Sequence, residues 1–136
     1  MSKTRGWSSV SLALAVAALL AWPAAGARAA QGALDGRTFV GETGEKGKPK
    51  GEADEFVFLN GTFRSKGCDQ YGFAAAPYTA RTAAGGTSFV ADASSAKEGA
   101  MHWTGTVKGE LLEGTAVWTK PGQADISYWV KGRLKK

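Results

Sequence analysis

The run Met101-His102-Trp103-Thr104-Gly105-Thr106-Val107-Lys108-Gly109-Glu110-Leu111-Leu112-Glu113-Gly114-Thr115-Ala116-Val117-Trp118-Thr119-Lys120 decides the fold. Met101, Trp103, Gly105 and Val107 alternate with His102, Thr104, Thr106 and Lys108. The pattern then restarts: Leu112, Gly114, Ala116 and Trp118 alternate with Glu113, Thr115, Val117 and Thr119. Successive side chains of a strand point to opposite faces, so a period of two with one apolar set marks a half-buried strand. Lys108-Gly109-Glu110 between the two runs reads as a tight hairpin turn. The segment is therefore two antiparallel strands, with Trp103 and Trp118 on the inward face.

The same alternation extends in both directions. Downstream, Ile126, Tyr128, Val130, Gly132 and Leu134 alternate with Ser127, Trp129, Lys131, Arg133 and Lys135. Upstream, short runs rich in aromatic, Val and Thr residues predict five more strands. The full expectation is eight strands, at 36–43, 55–60, 62–68, 77–83, 87–93, 100–108, 111–120 and 125–135. No stretch after residue 31 has helical periodicity over 11 or more residues, so no helix is expected. Asn60-Gly61 and Ala84-Gly85-Gly86 are tight turns like that at Gly109, because Asn and Gly tolerate positive φ. The connections 44–54, 69–76, 94–99 and 121–124 are longer. Successive connections of an up-and-down meander alternate between its two ends. All tight turns therefore fall at one end and all longer loops at the other.

Eight short antiparallel strands in a meander favour a closed barrel, which leaves no exposed sheet edge. A two-sheet β-sandwich is the alternative. An eight-stranded barrel is wide enough to be filled by side chains or to hold one small ligand. Phe56, Tyr78, Met101, Trp103, Trp118, Ile126 and Tyr128 are expected inward near the loop end. Phe39, Phe63, Phe89, Val107, Leu112 and Leu134 are expected inward near the tight-turn end. Gly105 and Gly114 would leave room for the indoles of Trp103 and Trp118. The segment Asp69-Gln70-Tyr71-Gly72-Phe73-Ala74-Ala75-Ala76 is apolar for a loop, and Pro77 ends it. Such a loop covers something: it either folds over the barrel mouth or docks on another protein. The loop 44–54, rich in Gly, Lys and Glu, reads as a solvated hairpin loop. The carboxylates Glu52, Asp54 and Glu55 beside it read as solvated charge.

The first 30 residues form an expected cleavable signal peptide. Lys3 and Arg5 precede the apolar run Val10–Trp22; Pro23 and Gly26 follow, and Ala27-Arg28-Ala29 offers small residues for cleavage after Ala29 or Ala30. The run is shorter than the roughly 20 residues a membrane-spanning helix needs. Residues 31–136 then form a single domain, exported to the bacterial periplasm or secreted, with no membrane span. Cleavage removes Lys3, Arg5 and Arg28 but no acid, so the net charge falls from +5 to +2. That weakens any nucleic-acid role. The domain keeps every aromatic residue except Trp7 and Trp22, enough for a packed core without disulfides.

Chemical signatures are sparse. Cys68 is the single cysteine; it either stays buried and inert or forms an intermolecular disulfide, giving a monomer or a Cys68-linked dimer. His102, the single histidine, points outward, so a Cys68–His102 metal site lacks further ligands. No cofactor, metal or catalytic residue is expected. Asn60-Gly61-Thr62 matches a glycosylation sequon, which the turn accounts for.

The eight-strand meander and the aromatic–glycine strands from Met101 to Lys120 resemble the calycin-type barrels, which include the lipocalins and avidins. The lipocalin glycine–tryptophan signature is absent from the first strand. Leu34-Asp35-Gly36-Arg37-Thr38-Phe39 is the nearest segment, with Phe39 at the aromatic position. Trp103-Thr104-Gly105-Thr106-Val107 and Tyr128-Trp129-Val130-Lys131-Gly132 more closely resemble exported bacterial proteins of no known activity. The leading expectation is a barrel that binds a small apolar or aromatic molecule at its loop end. Its ligand-binding residues would be Phe56, Tyr71, Phe73, Tyr78, Met101, Trp103, Trp118 and Tyr128. The alternative is an interaction module, an inhibitor or envelope assembly factor, that contacts another envelope protein through loop 69–76.

Overall fold

The computed structural model describes Ala29, Ala30 and residues 32–136. The expected signal peptide, apart from those two alanines, lies outside the described residues. The strands are β1 (Ala29–Ala30), β2 (Thr38–Glu45), β3 (Glu52–Leu59), β4 (Thr62–Ser65), β5 (Ala76–Ala83), β6 (Gly86–Ser95), β7 (Gly99–Lys108), β8 (Leu111–Thr119) and β9 (Ile126–Leu134). From β2 to β9, every strand pairs antiparallel with its neighbours in sequence. β2 also pairs with β9, from Phe39↔Leu134 to Glu45↔Tyr128. First strand on last closes the ring, so β2–β9 form an eight-stranded up-and-down barrel and the sandwich is set aside. β1 pairs with β5 through Ala29↔Arg81 and Ala30↔Ala80. β4 reaches β5 only at Pro77 and Ala76, so β1 covers the part of β5 that β4 leaves free.

The three tight turns lie where the sequence puts them, at one end. Asn60 and Gly61 have φ of 51° and 72°, the doubly positive geometry that matches the twist of a two-residue hairpin. The longer loops lie at the other end, with four departures from expectation. β2 spans Thr38–Glu45 rather than 36–43, because Gly44 and Glu45 continue the ladder opposite Trp129 and Tyr128. β3 starts at Glu52 rather than residue 55, because Asp54 faces inward in step with Phe56 and Phe58. The β6–β7 loop shortens to Ala96-Lys97-Glu98, because Ser94 and Ser95 continue the ladder opposite Ala100 and Gly99. β4 stops at Ser65, and Lys66–Tyr71 forms a 3-10 helix closed by Gly72 at φ 83°. That helix corrects the helix-free expectation; six residues are too few to show a helical period.

Aromatic rings fill the lower barrel. Phe58 lies 5.0 Å from Phe89, 5.1 Å from Phe63 and 5.1 Å from Tyr78 between ring centroids, and Phe63 lies 5.1 Å from Trp103. Burying each such ring contributes about 2–3 kcal/mol. Gly105 serves this stack rather than Trp103: a Cβ there would meet Phe89 Cε1 at 2.6 Å. Gly114 lies against the backbone of Thr104 and Gly105, not against Trp118. Below the stack, the Tyr78 hydroxyl donates to Asp35 Oδ1 at 2.8 Å and accepts the Leu34 N–H at 2.9 Å. Asp35 also accepts the Gly61 N–H at 3.0 Å. Leu34 and this network plug the tight-turn end.

Candidate functional site

The loop end is open. A cavity of about 560 Å³ lies there, within the range of small-molecule sites. Its deeper wall is Met101 and Trp103 from β7, Ala116 and Trp118 from β8 and Tyr128 from β9, with Phe73 beside them. Strand alternation aims all of these except Phe73 inward. The rim is polar: Glu45, Lys48, Lys50 and Glu52 flank the β2–β3 loop, and Glu98 stands opposite. Tyr71, Cys68 and Gln70 come from the 3-10 helix that leans over the opening.

Hydrogen bonds hold the rim in place. The Trp118 indole N–H donates to the Glu98 carbonyl, and Lys120 pairs with the Glu98 carboxylate at 3.1 Å. Trp129, on the outer face, donates to the Lys48 carbonyl at 2.9 Å and so ties down the β2–β3 loop, which is solvated as expected. Lys48 pairs with Glu45 at 3.0 Å. The segment 66–75 is fixed on both sides. Ser95 Oγ donates to the Tyr71 carbonyl at 2.7 Å, and Arg64 pairs with Asp69. Phe73 is buried in the core, whereas Tyr71 is 53% exposed.

Asp54 anchors that segment from below. It is 8% exposed and accepts the Gly67 N–H at 2.7 Å, the Glu55 N–H at 2.8 Å and the Thr43 hydroxyl at 3.1 Å, with the Ser65 hydroxyl as a fourth donor. Reading it as solvated charge is corrected: it is a saturated, buried carboxylate in the cavity wall. Its two-residue spacing from Phe56 was the available signal, obscured by the polar residues around it.

Six of the eight sequence-predicted residues meet at the cavity: Tyr71, Phe73, Met101, Trp103, Trp118 and Tyr128. Phe56 does not reach it. Fully buried, it stacks on Phe63 and meets the Trp103 ring edge-on at 6.3 Å, forming a layer under the floor. Tyr78 is at the opposite end, in the plug. Its expected place near the mouth is corrected because the 66–75 segment is long and β5 joins β4 only at Thr62↔Pro77 and Phe63↔Ala76. Thr43, Ala116 and the rim residues Glu45, Lys48, Lys50, Glu52 and Glu98 complete the wall that the sequence reading left out.

Burial pushes the Cys68 thiol pKa up, and the Asp54 and Asp69 carboxylates add to the rise against a lowering hydrogen bond with Ser65. The thiol stays protonated at neutral pH. His102 is on the outer face beside Asp92, as the alternation predicts, and cannot serve Cys68 as a base. Burial also pushes the Tyr128 hydroxyl pKa up, with Glu45 the next cause, so that hydroxyl stays protonated too. Among the described residues no three His, Cys, Asp or Glu side chains cluster as a metal site, and no helix is long and apolar enough to cross a membrane.

The fold and site define a small closed antiparallel β-barrel with an open, aromatic-walled mouth, an architecture compatible with lipocalin-like barrels. Comparison with known protein families, with curated proteins and with solved structures gave no match.

Proposed function

We propose that this chain is an exported barrel that holds one small, flat, apolar or aromatic molecule in its loop-end cavity. The carrying observation is that the barrel is filled below and empty above. The aromatic stack ends at Trp103, and a cavity of about 560 Å³ remains above it, walled by Trp118 and Tyr128 and by the loop-end rim. Neither Trp118 nor Tyr128 joins a ring pair among the described residues; both are half-buried and line the cavity. Flat aromatic walls with a few polar groups suit such a ligand. The tripartite N-terminal segment supports export. Protein purified from its own host and weighed by native mass spectrometry should carry a small-molecule adduct. Apolar probes should change its tryptophan fluorescence. A clean apo mass, with no fluorescence response to lipids, quinones or aromatics, would overturn the reading.

A second reading, docking on an envelope protein through loop 69–76, retains one supporting observation. Tyr71 is exposed on a segment fixed from both sides, with Ala74 and Ala75 also exposed. Phe73 faces the core, which leaves Tyr71 as the contact to test. Tyr71→Ser should abolish partner capture without unfolding the barrel, and unchanged capture would remove the loop from consideration.

A further inference from the structure

Within the ligand-site reading, on which this inference rests, the unpaired groups of the cavity specify the ligand's polarity. Trp118 and Trp129 both spend their indole N–H on backbone carbonyls. Trp103, only 2% exposed, has no acceptor for its own among the described residues. No buried side-chain nitrogen or oxygen among those residues is left without a partner. The Trp103 N–H is therefore not sealed in the core, and Trp103 lines the cavity. The Tyr128 hydroxyl also lacks a hydrogen-bond partner among the described residues. The two belong to one cross-strand row, Trp103↔Ala116↔Tyr128. Between them Ala116 is a fully buried methyl, so the two aromatic residues stand at one level of the cavity wall on strands about 10 Å apart.

Of the four acids lining the cavity three are already engaged, and the fourth, Glu52, shares the rim with Lys50. Asp54 accepts four donors, Glu45 faces Lys48, and Glu98 faces Lys120. An anion entering the cavity would meet a lining of four carboxylates against two lysines, and a hydrocarbon would strip water from two donors without replacing it. We propose that the ligand is a planar, apolar, uncharged molecule bearing a carbonyl-type oxygen, which accepts from the Trp103 N–H and the Tyr128 hydroxyl.

The test compares two probes of equal shape, 2-acetylnaphthalene and 2-isopropenylnaphthalene, by titration calorimetry. The ketone should bind about tenfold more tightly, the worth of one good net hydrogen bond. Its advantage should shrink severalfold in Trp103→Phe and below about twofold when Tyr128→Phe is added. In the unsubstituted protein, the Trp103 indole N–H resonance should move downfield with the ketone and not with the hydrocarbon, a readout that needs no variant to fold. Equal affinity for both probes, or an advantage that survives Trp103→Phe and Tyr128→Phe, would overturn the acceptor assignment while leaving the cavity a ligand site. Binding of neither probe would overturn both.

Discussion

The Asp54 carboxylate accepts the Gly67 backbone N–H at 2.7 Å, joining strand β3 to the 3-10 helix that overhangs the cavity. One buried side chain thus ties one wall of the mouth to the segment above it. Asp54→Ala would leave the Thr43 and Ser65 hydroxyls and the Gly67 N–H without their acceptor, and should cost about 3 kcal/mol. Asp54→Asn keeps one acceptor oxygen and should cost roughly half as much. Urea denaturation gives the magnitudes. Limited proteolysis should cut Asp54→Ala within 66–75 at protease levels that leave the native chain intact.

Gly105 and Phe89 are packed against each other. An added methyl at Gly105 would meet Phe89 Cε1 at 2.6 Å and the Glu113 carbonyl oxygen at 2.9 Å. Gly105→Ala should therefore destabilise by about 1–3 kcal/mol through overpacking. Shortening the ring in Gly105→Ala/Phe89→Leu should make the double variant more stable than the two single losses add up to, with a coupling of about 1 kcal/mol. Strict additivity in urea melts would place the strain at the Glu113 backbone instead.

The sequence exposes the barrel because strands β7, β8 and β9 repeat a clean period of two and the Asn60-Gly61 turn requires a hairpin. Closure is less legible: alternation is local, whereas the β2–β9 pairing joins residues 39 and 134. The aromatic wall of the mouth follows from the same alternation, and so Met101, Trp103, Trp118 and Tyr128 are found together. Asp54 is hidden because an inward carboxylate breaks the apolar pattern, and only its four donors make that position affordable. Tyr78 is misplaced because the turn geometry of 66–75 sets the β4–β5 register, and no periodicity reports it. The rim residues Lys48 and Glu98 fall in connections, and no local pattern reports their anchors, Trp129 and Trp118, which lie 81 and 20 residues away.

Tyr78 separates stability from binding. Its hydroxyl ties Leu34 and Asp35 to the barrel far from the mouth. Tyr78→Phe should lose about 1–2 kcal/mol and leave probe affinity unchanged. Burial, with the Asp35 hydrogen bond next, pushes the Tyr78 pKa up to about 12. The folded state therefore holds this proton after the unfolded chain has released it. The contribution is fully present below the ordinary tyrosine range and declines as pH rises from there towards 12. The stability difference between the native chain and Tyr78→Phe should narrow across that alkaline window. A difference independent of pH would remove the hydroxyl's protonation from the account.

Cys68 offers a chemical readout of the mouth. Burial is the first cause of its raised pKa, and the Asp54 and Asp69 carboxylates oppose thiolate formation further. The thiolate is the reactive species. Alkylation by iodoacetamide at pH 8 should therefore be slower than for a cysteine in an unstructured peptide, with the rate rising at a pH above the ordinary thiol range. Cys68 lines the same cavity as Trp103 and Tyr128, so a bound probe should slow the reaction again in proportion to occupancy. A rate matching that of the free peptide would show that the 3-10 helix does not shield the thiol. A rate insensitive to saturating probe would place the probe elsewhere on the barrel.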